Sequence, residues 1–310
     1  MADILYMIIP CYNEEEVLPN TAMVLRKKLN ELMDRELISR ESKVLFVNDG
    51  SKDRTWELIK LLHENDKLFT GISLAHNVGE QNAHVSGMIT AREQGAEMIV
   101  SMDADLQDDI DAIDEMLEKH YEGYEIIYGA RRSREVDSFF KKFTARTFYK
   151  IMKLIGTDLV EDHSQYRLVG KKALDAFATY SEDILFLPAV IKTMGFKEAV
   201  VYYDRKERLA GESKYPFMKM ALLAKDAVFS MNYTPIHFLS VPAIIFLVVA
   251  IIAFILSAVK DEAWLSVFAS VWLMGSALMF GLRIIGEYTG KAYKEARRRP
   301  RFIVEEHLFD

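Results

Sequence analysis

Cysteine is nearly missing from this chain of 310 residues, which has only Cys11. A single thiol excludes an intramolecular disulfide and a multi-cysteine zinc site. Glycine-rich phosphate loops are missing too: neither G-x-G-x-x-G nor G-x-x-x-x-G-K-[ST] occurs. That counts against NAD binding and against a P-loop NTPase. A basic excess is lacking as well. Lys and Arg number 39 against 46 Asp and Glu, a net charge of −7, so no broad cationic surface is on offer to nucleic acid. Half of the residues are hydrophobic and mean hydropathy is +0.01, too apolar for a disordered chain. Length alone suggests about two domains. Charge itself is unevenly spread, dense up to about residue 226 and then nearly gone.

In the charge-poor region, residues 236–259 run for 24 positions without Asp, Glu, Lys or Arg, around the apolar stretch 243–256. Crossing a bilayer core takes roughly 20 apolar residues, so this run is long enough. Lys260-Asp261-Glu262 follows as a tight turn, and 263–282 is a second uncharged run of 20. The pattern predicts a transmembrane hairpin over 236–288; the alternative is a buried helix pair in a large soluble protein. Beyond it stand Lys291, Lys294, Arg297, Arg298, Arg299 and Arg301, against Lys260 alone in the turn. Basic residues favour the cytoplasmic side, which makes 289–310 a basic cytoplasmic tail and puts residues 1–235 on the same side. Met1–Ile9 runs straight into a polar loop and does not read as a signal peptide.

Before the charge-poor region, short apolar runs alternate with amphipathic ones. Expected strands are 5–9, 44–48, 69–75, 98–102 and 126–129, with helices near 17–33, 55–64, 81–93 and 110–121. Such alternation predicts βαβ units and a mostly parallel α/β sheet, whose ligands bind beyond the carboxyl ends of the strands. Two further amphipathic stretches, 138–155 with Lys141, Lys142, Arg146, Lys150 and Lys153, and 218–231, suit a lipid headgroup interface. Solvated helices are the other reading of both.

Polar motifs fall just after the expected strands. Asp103-Ala-Asp105 places two carboxylates on one side of an extended segment, and paired hard oxygen donors suit Mg²⁺ or Mn²⁺ shared with substrate phosphate. Gln107 and Asp108 extend the cluster. Asp49, in Val47-Asn-Asp-Gly-Ser-Lys-Asp53, can accept from a nucleobase imide N–H, with Gly50 allowing close backbone approach. A plain turn acid is the equal alternative.

Ile8-Ile-Pro-Cys-Tyr-Asn-Glu14, the Asp49 block and Met102-Asp-Ala-Asp-Leu-Gln-Asp108 together resemble the signature blocks of family 2 glycosyltransferases, whose fold is GT-A. Tyr166-Arg-Leu168, Arg205-Lys-Glu-Arg208 and Ala210-Gly-Glu-Ser-Lys-Tyr215 look like the polyprenyl-phosphate branch. That branch includes bacterial undecaprenyl-phosphate glycosyltransferases and dolichol-phosphate mannose synthases. The resemblance implies a GT-A domain over 1–217, an amphipathic interface helix over 218–235, then the hairpin and the tail. It implies that Pro10, Tyr12, Glu14, Asp49 and Asp103 line the nucleotide pocket. Asp103, Asp105 and Gln107 would hold the metal. Asp105, Arg208 and Lys214 would serve catalysis, with Arg208, Ser213 and Lys214 in a segment that closes over the phosphates. Arg131, Lys141 and Ser213 would receive the lipid phosphate.

One departure stands out. Relatives commonly carry an acid before the aromatic-Arg-Leu block, where this chain has Gln165. Asp162 and His163 are the neighbours able to replace it, and Gln165 itself suits a sugar hydroxyl, so Asp162 and Gln165 join the catalytic candidates. Phe186-Leu-Pro-Ala189 likewise stands where relatives often have an Arg.

The expected activity is inverting, metal-dependent transfer of a sugar from a nucleotide donor, UDP-glucose or UDP-N-acetylglucosamine, to undecaprenyl phosphate. It would take place on the cytoplasmic leaflet of a bacterial inner membrane and serve the cell envelope. The resemblance also implies a homotetramer, and a flippase as a partner. Gly275, Ser276, Ala277 and Gly281 would let helices approach closely. A catalytically weak or silent scaffold of the same fold is the alternative, with Gln165 as its support. A polymerising synthase is disfavoured because Trp56, Trp264 and Trp272 fall in no Gln-x-x-Arg-Trp block.

Overall fold

The computed structural model describes residues 2–132, 163–180, 187–204, 263–297 and 299–309. Eight strands form one sheet: β1 (Leu5–Cys11), β2 (Lys43–Asn48), β3 (Phe69–Leu74), β4 (Met98–Ser101), β5 (Ile126–Arg131), β6 (His163–Gly170), β7 (Glu198–Tyr203) and β8 (Val304–Leu308). Their spatial order is β7-β5-β6-β4-β1-β2-β3-β8. Pairs β1–β2, β1–β4, β2–β3 and β5–β7 are parallel. Pairs β3–β8, β4–β6 and β5–β6 are antiparallel. The mostly parallel α/β sheet is consistent with the expected GT-A fold.

The central strands are apolar on both faces because helices cover both. Along β1, Leu5, Met7, Ile9 and Cys11 enter one core and Tyr6 and Ile8 the other. Helices α1 (Leu18–Asp34), α2 (Thr55–Asn65) and α4 (Ala112–Tyr121) cover the first face with Leu25, Leu29, Ile59, Ile113 and Met116. Helices α3 (Glu80–Glu93), α5 (Lys171–Phe177) and α6 (Leu187–Thr193) cover the second with Met88, Ala91, Leu174, Phe177 and Ile191. Helix α3 lies close against the sheet at Gly87, where a Cβ would stand 2.4 Å from Ile8 Cγ2.

The chain's end returns to the sheet. Expected as a tail, residues 304–308 instead form β8 along β3, pairing Gly71 with Leu308 and Ser73 with Glu306. Trp56 Nε1 donates to Glu306 at 3.2 Å, Lys60 pairs with Glu306 at 2.5 Å, and Phe302, Val304 and Phe309 pack against the second core. Apolar side chains flanking the basic cluster drive this docking.

The last helix, α7 (Ala263–Arg297), covers the second expected span. Among the described residues no helix is long and apolar enough to cross a membrane. The helix runs on without a break through Arg283, Glu287 and Lys291. The first expected span, 236–259, and the amphipathic stretches 138–155 and 218–231 lie outside the described residues.

Candidate active site

In the order β3-β2-β1-β4, successive connections run to opposite sides of β1, so a crevice opens between the carboxyl ends of β1 and β4. The loops after β1, β2 and β4 surround it. The first two are laced together: Asn13 N–H donates to Ser51 Oγ at 3.0 Å, Glu14 N–H to Thr55 Oγ1 at 2.9 Å and Lys52 N–H to Asn13 Oδ1 at 2.8 Å. These bonds hold Pro10, Tyr12 and Glu14 beside the Asp49 loop.

Asp49 is buried and takes hydrogen bonds from Val78 N–H at 2.7 Å, Gly79 N–H at 3.1 Å and Asn77 Nδ2 at 2.9 Å. Burial pushes its carboxyl above the ordinary value, against the pull of the two backbone donors. It therefore anchors the loop that leads into α3. Three of about four lone-pair positions are used, which leaves room for one more donor. Gly50 is required here: its φ is +64°, and a Cβ would stand 2.6 Å from Asn77 N.

The Asp103–Asp109 loop is pinned from several sides. Thr21 Oγ1 donates to Ala104 O at 2.7 Å, Gln107 N–H to Asp105 Oδ1 at 3.1 Å and Tyr166 Oη to Asp109 O at 3.0 Å. The Tyr203 hydroxyl donates to Asp108. Leu106 turns the chain with φ +52°. Gathered at this loop are Asp103, Asp105, Asp108 and, from the start of α3, Glu80. Their charges oppose one another. Burial and then Asp103 and Asp105 push Glu80 up to about 8. Burial and Asp103 push Asp108 up to about 7, against the Tyr203 hydrogen bond and Arg131. Crowded oxygen donors that cannot all ionise comfortably suit a divalent cation, so the residues fit the expected Mg²⁺ or Mn²⁺.

Glu80, His84 and Asp103 form a possible metal-binding group, with one ligand atom from each lying within 4.8 Å of the others. The sequence pattern had reached Asp103 but neither Glu80 nor His84. Their spacing of four on one helix was the available signal.

The chain matches the Glycosyl transferase family 2 profile over residues 6–177. It is 40% identical over 313 residues to the uncharacterized glycosyltransferase YkoT of Bacillus subtilis (strain 168), covering 99% of this chain and 93% of that protein. It is 31% identical over 310 residues to the bactoprenol glucosyl transferase of Shigella phage SfV, covering 96% and 97%. The chain belongs to glycosyl transferase family 2. Among solved structures it is similar to glucosyl-3-phosphoglycerate synthase from Mycobacterium tuberculosis in complex with Mn²⁺, uridine-diphosphate-glucose and phosphoglyceric acid. That likeness has a TM-score of 0.46 at 12% identity and covers 73% of this chain and 77% of the other.

In this glycosyltransferase Gln165 stands on β6, antiparallel to β4 and β5. Its Oε1 accepts from Arg167 Nη2 at 2.7 Å and its backbone O from Arg167 Nε at 3.3 Å. Arg167 is buried, and burial lowers its guanidinium to about 10 against the pull of Tyr128 and Asp103. Gln165 thus holds a buried cation that faces the Asp103 group. Arg131, at the end of β5, lies within electrostatic reach of Asp108. Lys141, Asp162, Arg208, Ser213 and Lys214 lie outside the described residues.

Proposed function

We propose that this glycosyltransferase moves a hexose, glucose in the leading reading, from a nucleotide donor to a polyprenyl phosphate at a lipid surface. The observation that carries the acceptor is the 31% identity, along 96% of the chain, to a relative named for bactoprenol glucosyl transfer. The donor side rests on the carboxylates at the β1–β4 crevice. Pro10, Tyr12, Glu14 and Asp49 take the nucleoside, and Asp103, Asp105 and Gln107 would hold Mg²⁺ or Mn²⁺.

A phosphate monoester has its second pKa near ~6, so at neutral pH the acceptor is largely a dianion and needs no strong base. One acceptor oxygen attacks the anomeric carbon. The bond from that carbon to the diphosphate breaks with inversion, and the electron pair leaves on the nucleoside diphosphate. A divalent cation held there would supply positive charge to the leaving diphosphate. Arg131 orients the acceptor phosphate, while Arg167, held by Gln165, offsets the carboxylates around it. This task for Gln165 weakens the scaffold alternative.

Lipid attachment is the proposed task of residues 236–282. On α7, Trp264, Val271, Leu278 and Ile285 are exposed and recur every seven residues, beside exposed Val267, Met274 and Leu282. Such a face suits acyl chains. Because β8 pairs with β3, the chain's end stays on the side of the catalytic domain. A cytoplasmic domain on a bacterial inner membrane, and a homotetramer, belong to the same proposal.

The test incubates detergent-solubilised protein with radiolabelled UDP-glucose, undecaprenyl phosphate and Mn²⁺ or Mg²⁺. A label that partitions into organic solvent only when acceptor is present is the expected result. No lipid-linked label with UDP-glucose or UDP-N-acetylglucosamine would overturn the reading.

A further inference from the structure

Helix α3 carries two metal-ligand side chains one turn apart, Glu80 and His84, and Asp103 at the end of β4 faces them. Residues four apart lie on the same helix face, the spacing by which helical metal motifs present two ligands to one ion. His84 is fully buried, and among the described residues its Nε2 has no hydrogen-bond partner. Asp103 Oδ1 lies 3.7 Å from it, too far for a hydrogen bond. The other ring nitrogen, Nδ1, is 2.6 Å from Ser101 Oγ. With Nδ1–H donating to that hydroxyl, Nε2 presents its lone pair to the gap between Glu80 and Asp103. A ligating histidine is ordinarily held this way, by a hydrogen bond from its second nitrogen.

We propose that Glu80, His84 and Asp103 form a site for a first-row transition-metal dication, with His84 Nε2 as its nitrogen ligand. The ligand atoms lie within 4.8 Å of one another. Bonds of about 2.0–2.2 Å place ligands of one ion roughly 3–4 Å apart, a closure within reach of the Glu80 side chain. Asp103 is 41% exposed at its side chain, which gives an ion a way in. Imidazole favours Mn²⁺ and later metals over Mg²⁺, whose preference is for oxygen. The site shares Asp103 with the proposed donor site and so deepens that reading. Its consequence for transfer rests on that reading; its ligand set does not.

The test uses the full chain in detergent, with Mn²⁺ as probe and no donor or acceptor. Titration followed by electron paramagnetic resonance should show one tight Mn²⁺, and pulsed spectra should show ¹⁴N modulation from a directly bound imidazole. His84→Leu should abolish the modulation and weaken Mn²⁺ binding by about tenfold or more, with Mg²⁺ binding far less affected. Glu80→Gln, which keeps the side chain's shape, should also weaken Mn²⁺ and carries the test if His84→Leu does not fold. Absent modulation in the unmodified protein, modulation that persists in His84→Leu, or unchanged Mn²⁺ affinity in Glu80→Gln would each overturn the site. Lipid-linked sugar formed despite such a result would leave the transfer reading intact. Modulation without transfer would leave the metal site standing.

Discussion

Two acidic groups flank the segment from Asp103 to Asp114, and their charges are balanced in opposite ways. On the helical side, Asp111 and Asp114 close on Lys28, whose side chain is only 4% exposed, and Arg35 adds a second cation to Asp114. Burial alone would raise the Asp114 carboxyl, yet bonds to Lys28 and Arg35 hold it below its ordinary value. On the crevice side, burial and neighbouring carboxylates push Glu80 and Asp108 up into the neutral range. Among the described residues the first group is balanced by Lys28 and Arg35. In the second, crowding and burial win over the neighbouring cations, and perturbed carboxylates in a cleft commonly mark a functional site.

Exchanging members of the two groups tests the contrast. The largest effect belongs to Asp105→Ala, which should cut transfer by about 10²–10³-fold, the usual scale for losing a stabiliser of developing charge, with the thermal midpoint lowered by no more than the loss of its hydrogen bond from Gln107 N–H. A midpoint that collapsed along with the rate would make Asp105 a structural acid and erase the distinction. Next comes Lys28→Met. Removing one partner of a buried ion pair costs about 3–5 kcal/mol, and the partial exposure of Asp111 and Asp114 lowers the expectation to about 2–3 kcal/mol in chemical denaturation, with transfer by the folded fraction preserved. Tyr203→Phe is smaller. It takes the hydroxyl donor from buried Asp108 and should cost about 1–2 kcal/mol, read from the same denaturation curves.

The smallest effect is the pH dependence of the paired group. Because the folded Asp114 pKa lies below its unfolded value, its contribution is present above the unfolded pKa and is lost as pH falls through the folded one. Denaturation midpoints should therefore drop on acidification from about pH 5 to pH 2, and Asp114→Asn should flatten part of that drop, by about 1 kcal/mol or less. An unchanged acid limb would show that the Lys28 group is not what holds Asp114 ionised.

Much of this architecture could be read along the chain. Strands β1 to β5 and helices α1 to α4 lie within two residues or so of their expected bounds, because each has its own periodicity and turn residues. Asp103 and Asp105 were visible because they directly follow β4. What escaped depends on segments that meet only in three dimensions. Asp49 reads as a turn acid or a ligand until Val78 and Gly79 are seen to bind it. Gln165 reads as a lost acid until Arg167 is seen to need its oxygen. Glu80 and His84 look like ordinary helix positions until Asp103 faces them across the crevice. Strand β6, inserted between β4 and β5, and β8, paired with a strand more than 200 residues earlier, leave no local periodic signal of where they go.

The late pairing of β8 with β3 also sets an order of events during synthesis. Strand β3 leaves the ribosome with β2 on one side and nothing on the other, and its partner is encoded some 230 residues later. At about 5–20 residues per second, that open edge waits roughly 10–50 s before the chain's last residues arrive. An unpaired edge is a template for adventitious strands. A chain cut short before Val304 would keep that edge permanently, and its fate would be aggregation rather than a smaller working enzyme.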